Sequence, residues 1–153
     1  MIKIFVGSSS GARTQAKKFM EGCTHPNVKY LPWWEQFGPG FTLLDELDRI
    51  RKEVGAVILL LTPEASSTNS KGTEIVVANQ NVLFEFGYFY AALGKSKVAL
   101  AKYGDINLPS DLGGYIHIFG SGFFHRGASV PVGKRTKGDF NRWLDTMLSK
   151  PPR

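Results

Sequence analysis

The sequence predicts a doubly wound α/β domain of the flavodoxin type, a three-layer sandwich around a five-stranded parallel sheet in the order 2-1-3-4-5. Three observations lead there. Strand-like and helix-like segments alternate along the chain. The stretch Val54 to Leu61 (VGAVILLL) is almost continuously aliphatic, as in a parallel strand covered on both faces. The opening KIFVGSSSG passes from a short apolar run straight into a Gly/Ser loop, the usual join between the first strand and first helix of such a fold.

Taken in order, Ile2 to Val6 reads as a buried strand, and Ala12 to Glu21 as a helix with Ala16, Phe19 and Met20 on one face. Val28 to Leu31 reads as a second strand. The aromatic loop PWWEQFGPG follows, from Pro32 to Gly40. Thr42 stands where an N-cap belongs, ahead of Leu43, Leu44, Leu47 and Ile50 at helical spacing. Val54 to Leu61 is the central strand. Thr62 to Ala78 is polar in its first half and reads as a long surface excursion of the functional kind. Asn81 to Leu93 (NVLFEFGYFYAAL) is apolar nearly all round and stops at Gly94, which suits a buried helix with a glycine cap. Lys97 to Ala101 and Tyr115 to Phe119 supply the fourth and fifth strands, and Phe140 to Leu148 closes the chain as an amphipathic helix.

With 153 residues, 42% of them apolar and 21% charged, the chain is sized and composed for one folded domain with a conventional core. No apolar run is long enough to span a bilayer and no signal peptide opens the chain, so a cytoplasmic location is expected, with no membrane partner. The net charge of +6 divides unevenly. Residues 126 to 153 carry Arg126, Lys134, Arg135, Lys137, Arg142, Lys150 and Arg153 against Asp139 and Asp145, a balance of +5, which leaves +1 for everything before. A basic segment of this kind is usually a solvated helix face with its flanking loop, and no nucleic-acid partner is expected. Cys23 is alone, so redox and zinc chemistry recede. His25, His117 and His125 are scattered without ligand spacing, and no metal is expected. Neither GxSxG nor a Cys/His signature occurs. Asp111 in LPSDLGG reads as a turn former.

Glu85 is the residue that needs an explanation, because Val82, Leu83, Phe84, Phe86, Tyr88 and Phe89 surround it. A carboxylate there must be paired, protonated or facing a cleft. It is either a structural group bonded to a nearby backbone or hydroxyl, or a catalytic one. Its place about one turn into a helix offers some relief from the helix dipole. In doubly wound folds ligands bind beyond the carboxyl ends of the strands. There Ser8, Ser9 and Ser10, between Gly7 and Gly11, are positioned to bind ribose or phosphate, or simply to cap a turn. Arg13 offers a charge for a phosphate. Trp33, Trp34 and Phe37 offer flat faces on which a base can stack, with one of the two tryptophans expected to be a core anchor instead.

Together, KIFVGSSSG, PWWEQFGPG running into TLLDELDRI, VGAVILLLTPE, NVLFEFGYFYAALG and LPSDLGGYIHIFG resemble the bacterial TIR-like nucleotide-binding domains of anti-phage defence. The resemblance runs from Ile2 to about Gly120. It is most similar to the TIR domains fused to bacterial STING or to other cyclic-nucleotide sensors. It implies hydrolysis of NAD, as substrate and not as cofactor, to nicotinamide and ADP-ribose products. Glu85 would be the catalytic glutamate, with Asn81, which matches the NVLFE motif, among the substrate contacts. The resemblance also implies self-association through TIR domains and a fused sensor that binds a cyclic dinucleotide, with residues 1–149 as the TIR-like domain and 150–153 as the start of a linker. Asn79 and Gln80 stand where many relatives carry an Arg-Asp pair, so a contact from that arginine does not transfer. A TIR domain that acts only as a scaffold, and a deoxyribosyltransferase-like enzyme using a glutamate nucleophile, are the competing readings.

Overall fold

A computed structural model describes residues 1–112, 114–125 and 127–149. The expected linker at 150–153 and the basic residues Arg126, Lys150 and Arg153 lie outside the described residues. Five parallel strands, β1 (Ile2–Gly7), β2 (Val28–Pro32), β3 (Ala56–Leu61), β6 (Val98–Tyr103) and β7 (Ile118–Ser121), form a sheet in the order β2-β1-β3-β6-β7. Between β3 and β6, β4 (Ala65–Thr68) and β5 (Glu74–Val77) form a separate antiparallel pair. With that hairpin set aside, the order is the expected 2-1-3-4-5.

The helices are α1 (Arg13–Gly22), the short α2 (Trp33–Gln36), α3 (Leu43–Glu53), α4 (Gln80–Leu93) and α5 (Lys134–Ser149). Alternate strand residues face opposite layers. Ile4, Val6, Ile58 and Leu60 pack with Phe19 of α1 and Phe140 and Trp143 of α5. Phe5, Val57, Leu59 and Leu61 pack with Leu47 and Ile50 of α3 and Val82, Phe86 and Phe89 of α4. All six residues of β3 are buried, because it lies between β1 and β6 with helices on both faces. Cys23 is buried in the first of these cores, and burial pushes its thiol up to about 12.

Local chemistry sets the ends of the elements that matter for function. Thr42 accepts from the Asp45 N–H at 3.1 Å, and the Asp45 carboxylate accepts from the Thr42 N–H at 3.3 Å, a complete capping box. Asn79 caps α4 by accepting from the N–H groups of Asn81 at 2.9 Å and Val82 at 3.2 Å. Gly94 closes that helix at φ +92°.

Several expectations are corrected. The excursion after β3 is a hairpin whose turn is held by Asn69, with its side chain accepting from the Lys71 and Thr73 N–H groups at 2.9 and 3.0 Å. Its first strand, ASST, is exposed throughout and has no apolar alternation to read. The last helix starts at Lys134, six residues before Phe140, through a polar stretch that contains Gly138. On α3 the side chains of Leu43 and Leu44 are exposed and Glu46 is buried, because the face toward the sheet is centred on Leu47 and Ile50. Glu46 takes Arg49 at 2.9 Å, and Arg49 also donates to the Gln36 carbonyl at 2.7 Å, which ties the aromatic loop to α3. On α4, Phe84 and Tyr90 are exposed, so that helix is apolar all round but buried on one side only.

Two substitutions check this architecture by urea unfolding. Gly120 sits at the register shift between β6 and β7, where a Cβ would lie 2.7 Å from the Lys102 carbonyl oxygen and the Tyr103 ring. Gly120→Ala is therefore expected to destabilise by about 1–3 kcal/mol. Thr42→Ala is expected to cost about 1 kcal/mol through loss of the cap.

Candidate active site

Glu85 of α4 lies against Gly7, at the carboxyl end of β1, beside Leu59 of β3. Its side chain is buried, with 6% of the residue exposed, and its Oε2 has no hydrogen-bond partner among the described residues. A Cβ added to Gly7, the last residue of β1, would lie 2.9 Å from this oxygen and 2.5 Å from Cδ2 of Leu59. Only a glycine leaves room there for the carboxylate and the β3 leucine together. Burial raises the Glu85 carboxyl from the usual 4.5 to about 7. The expected help from the helix dipole is small, because Glu85 is the sixth residue of α4 and lies beyond its first turn.

The aromatic loop divides around the edge of the sheet. Trp33 packs on the core that holds Phe5, Leu59 and Phe86, and its indole N–H donates to Ser8 Oγ at 2.8 Å, while Ser8 Oγ donates to the Ser9 carbonyl at 2.9 Å. Phe37 meets Phe5 edge-on at 6.2 Å between ring centroids, and Phe5 meets Phe89 of α4 at 5.5 Å. Trp33, Phe37, Ser8 and Glu85 thus share one side of the sheet. Trp34 packs on the opposite core, edge-on to Trp33 at 5.7 Å. The Arg13 guanidinium lies 4.8 Å from the Trp34 ring centroid and the Lys17 ammonium 5.8 Å from it. Arg13 and Trp34 therefore form a cationic cluster of their own on the α1 side. Ser10 is exposed at the start of the short 3₁₀ turn, and Asn81 is exposed one helical turn before Glu85, on the same side of α4.

A further acid at this end of the sheet, Glu64, is not among the residues that the sequence marks. Its Oε1 accepts from Thr62 Oγ1 at 2.7 Å and from Ser9 Oγ. The only signal for it was its place three residues beyond the central strand, since Ser9 and Glu64 are 55 positions apart. Two carboxylates consequently flank the Gly7 to Gly11 loop, Glu85 at its first residue and Glu64 at its third. Among the described residues no group of three or more His, Cys, Asp or Glu side chains is arranged to hold a metal ion. No helix among them is long and apolar enough to cross a membrane. A concavity of about 1040 Å³, lined by Ile2, Lys97, His117 and Trp143, lies at the amino ends of the strands, away from Glu85.

The buried acid makes stability depend on pH. Because the carboxyl titrates near 7 in the fold and near 4.5 when exposed, the folded state holds the proton more tightly, and stability falls as pH rises between those values. The stability of Glu85→Gln relative to wild type is expected to grow by on the order of 3 kcal/mol between about pH 4 and about pH 8, read from urea midpoints. A difference that stays flat with pH contradicts the buried, unpaired acid.

Comparison with known proteins places this geometry in a family. Residues 3–120 match the family model described as "CAP12/Pycsar effector protein, TIR domain". The chain is 32% identical over 112 residues to CD-NTase-associated protein 12 of Sphingobacterium faecium, covering 73% of this chain and 34% of that protein. It is 29% identical over 116 residues to Pycsar effector protein BcPycTIR of Burkholderia cepacia, covering 74% and 38% respectively. It is 38% identical over 78 residues to the uncharacterized protein YuaY of Escherichia coli K12, covering 50% and 26%. The chain thus spans only about a quarter to two fifths of the length of these relatives. A family match over residues 3–120, on a parallel sheet of order β2-β1-β3-β6-β7 with Glu85 at its carboxyl end, means that this chain belongs to the TIR domains of the CAP12/Pycsar effector family.

Proposed function

We propose that this domain hydrolyses NAD to nicotinamide and ADP-ribose products, with NAD as substrate and Glu85 as the catalytic group. The observation that carries the reading is the Glu85 carboxylate, buried with an unpartnered oxygen at the carboxyl end of β1. The nicotinamide of NAD is already a cationic leaving group, so its departure needs no general acid, unlike that of an ordinary glycoside. The C1′–N bond breaks, its electron pair neutralises the nicotinamide ring, and positive charge develops on the ribose. A carboxylate fixed beside that ribose stabilises the charge in a site of low polarity. Water then bonds to C1′ and gives up its proton to solvent.

Trp33 and Phe37, on the same side as Glu85, would receive the nicotinamide ring, and Ser8 and Asn81 the adjoining hydroxyls. Arg13, beside Trp34, would meet the pyrophosphate only if the substrate crosses the aromatic loop. The small exposure of Glu85 favours a reaction that needs the loops to open, and self-association of TIR domains is the proposed trigger. Exposed Phe41 and Leu44, at 68% and 52%, offer apolar surface for it. The relatives' names, one a CD-NTase-associated protein and another a Pycsar effector, support a place as the effector part of a longer anti-phage protein. Its sensor part would bind a cyclic nucleotide, with a cyclic dinucleotide as the proposed ligand.

Nicotinamide release from NAD, measured at high protein concentration with a crowding agent, tests the reading. Wild type is expected to turn over, and Glu85→Gln to lose at least about 10³-fold in rate while keeping its fold. The rate of wild type is expected to rise with pH through a midpoint near 7, because the charged form of Glu85 does the work. Wild-type turnover by Glu85→Gln removes the role assigned to it. A verified assembly that releases no nicotinamide favours a scaffold.

A further inference from the structure

Glu64 is anchored through its backbone and one carboxylate oxygen, and its other oxygen is left open. Its N–H donates to the Val77 carbonyl at 3.0 Å, fixing it at the base of the β4–β5 hairpin. Both hydroxyl donors that reach its side chain, Ser9 and Thr62, converge on Oε1. Oε2 accepts no hydrogen bond among the described residues, and no Lys or Arg among them pairs with it. Oε2 lies 3.8 Å from where a Cβ on Gly11 would stand, so the absence of a side chain at exposed Gly11 keeps that approach open. Half-buried Glu64 also lines a shallow, open hollow of about 480 Å³, together with Pro63, Ala65, Ser66 and Val76.

The chemistry of this place selects its ligand. A carboxylate is an acceptor only, and the protons of Ser9 and Thr62 are already directed at it. A phosphate brought beside it meets like charge and finds no free hydroxyl donor at Ser9. A pair of neighbouring sugar hydroxyls, by contrast, supplies donors to Oε2 on a charge-assisted bond. The apolar parts of Pro63, Ala65 and Val76 offer a shallow surface that suits one face of a sugar or base. We propose that Glu64 and the hollow beside it form a ribose-recognition subsite that takes the vicinal hydroxyls of a nucleoside. Here the Gly7 to Gly11 loop reads sugar and rejects phosphate. The proposal rests on the nucleotide reading of this end of the sheet, and it names the sugar as the part recognised at the Ser9 end of the loop.

The test is a binding titration of the full chain, followed through the amide resonances of Ser9, Gly11 and Ser66, with adenosine, 2′,3′-dideoxyadenosine and inorganic pyrophosphate as probes. Wild type is expected to bind adenosine about tenfold more tightly than the dideoxy analogue. In Glu64→Gln that ratio is expected to fall to about one. Pyrophosphate is expected to leave these resonances unmoved. A merely structural Glu64 would weaken both nucleosides equally and preserve the ratio, and that result overturns the proposal, as does pyrophosphate competing with adenosine at Ser9 and Gly11. If Glu64→Gln fails to fold, Gly11→Val covers Oε2 while leaving the Ser9 and Thr62 anchors, and it is expected to abolish the diol preference; retention of the preference in that folded variant also overturns the proposal. The readout is binding, so a wild-type chain that recognises the diol yet releases no nicotinamide defeats the hydrolase reading and leaves this one standing. The reverse pattern, hydrolysis without diol preference at Glu64, defeats only this one.

Discussion

The carboxylate of Glu85 lies against the last residue of β1 with one oxygen unpartnered, and burial of that kind persists only where the surrounding packing holds it. Much of the working end follows from this constraint. Position 7 has to be glycine, because the carboxylate oxygen and Leu59 occupy the space of a Cβ. Helix α4 has to be pinned at its start, which Asn79 does through two backbone N–H groups. It is also pinned along one face by Val82, Phe86 and Phe89 against β3 and β6. The stability given up to an unpaired acid is offset by a fully buried central strand. The result is a carboxyl held near the middle of its titration at neutral pH.

The aromatic loop shows how one short segment serves both layers of a doubly wound fold. Adjacent residues of α2 point to opposite sides of the sheet edge, Trp33 into the core shared with α3 and α4 and Trp34 onto the α1 layer. The perpendicular contact between the two indoles locks that divergence, and Arg49 holds the far end of α2 to α3. Trp33 then bonds Ser8, so the loop after β2 helps set the loop after β1. Glu64 does the same from the third strand, through Ser9. The Gly7 to Gly11 loop is thus positioned from two sides by side chains that belong to other crossovers, with little left to its own sequence.

Much of the fold was legible locally. The central placement of Val54 to Leu61, the Thr42 cap and the Gly94 stop rest on short-range patterns of apolar spacing and cap chemistry, the strand order follows from the connection rules of doubly wound folds, and the structure contains each of them. The errors fall where such patterns are silent. ASST has no apolar face and carries no strand signal, and residues 134–139 carry no periodic apolar signal, so the sequence marks α5 only from Phe140. At the site, Glu85 stood out because a carboxylate inside an apolar helix is anomalous in any context. Glu64 did not, since a glutamate in a polar loop is ordinary until Ser9 is found beside it.

The sequence by itself determined the succession of strands and helices, which residues face a core, and the presence of one acid that burial must perturb. These follow from periodicity and from the cost of desolvating charge, both of which act over a few residues. Only the tertiary structure decided that the two tryptophans part company, that Arg13 joins Trp34 and not Glu85, and that Ser9 is committed to a second carboxylate. Those outcomes depend on contacts between distant loops, such as Ser8 with Trp33 and Ser9 with Glu64. Strand register and layer packing bring such loops together, and no local pattern encodes the distance between them.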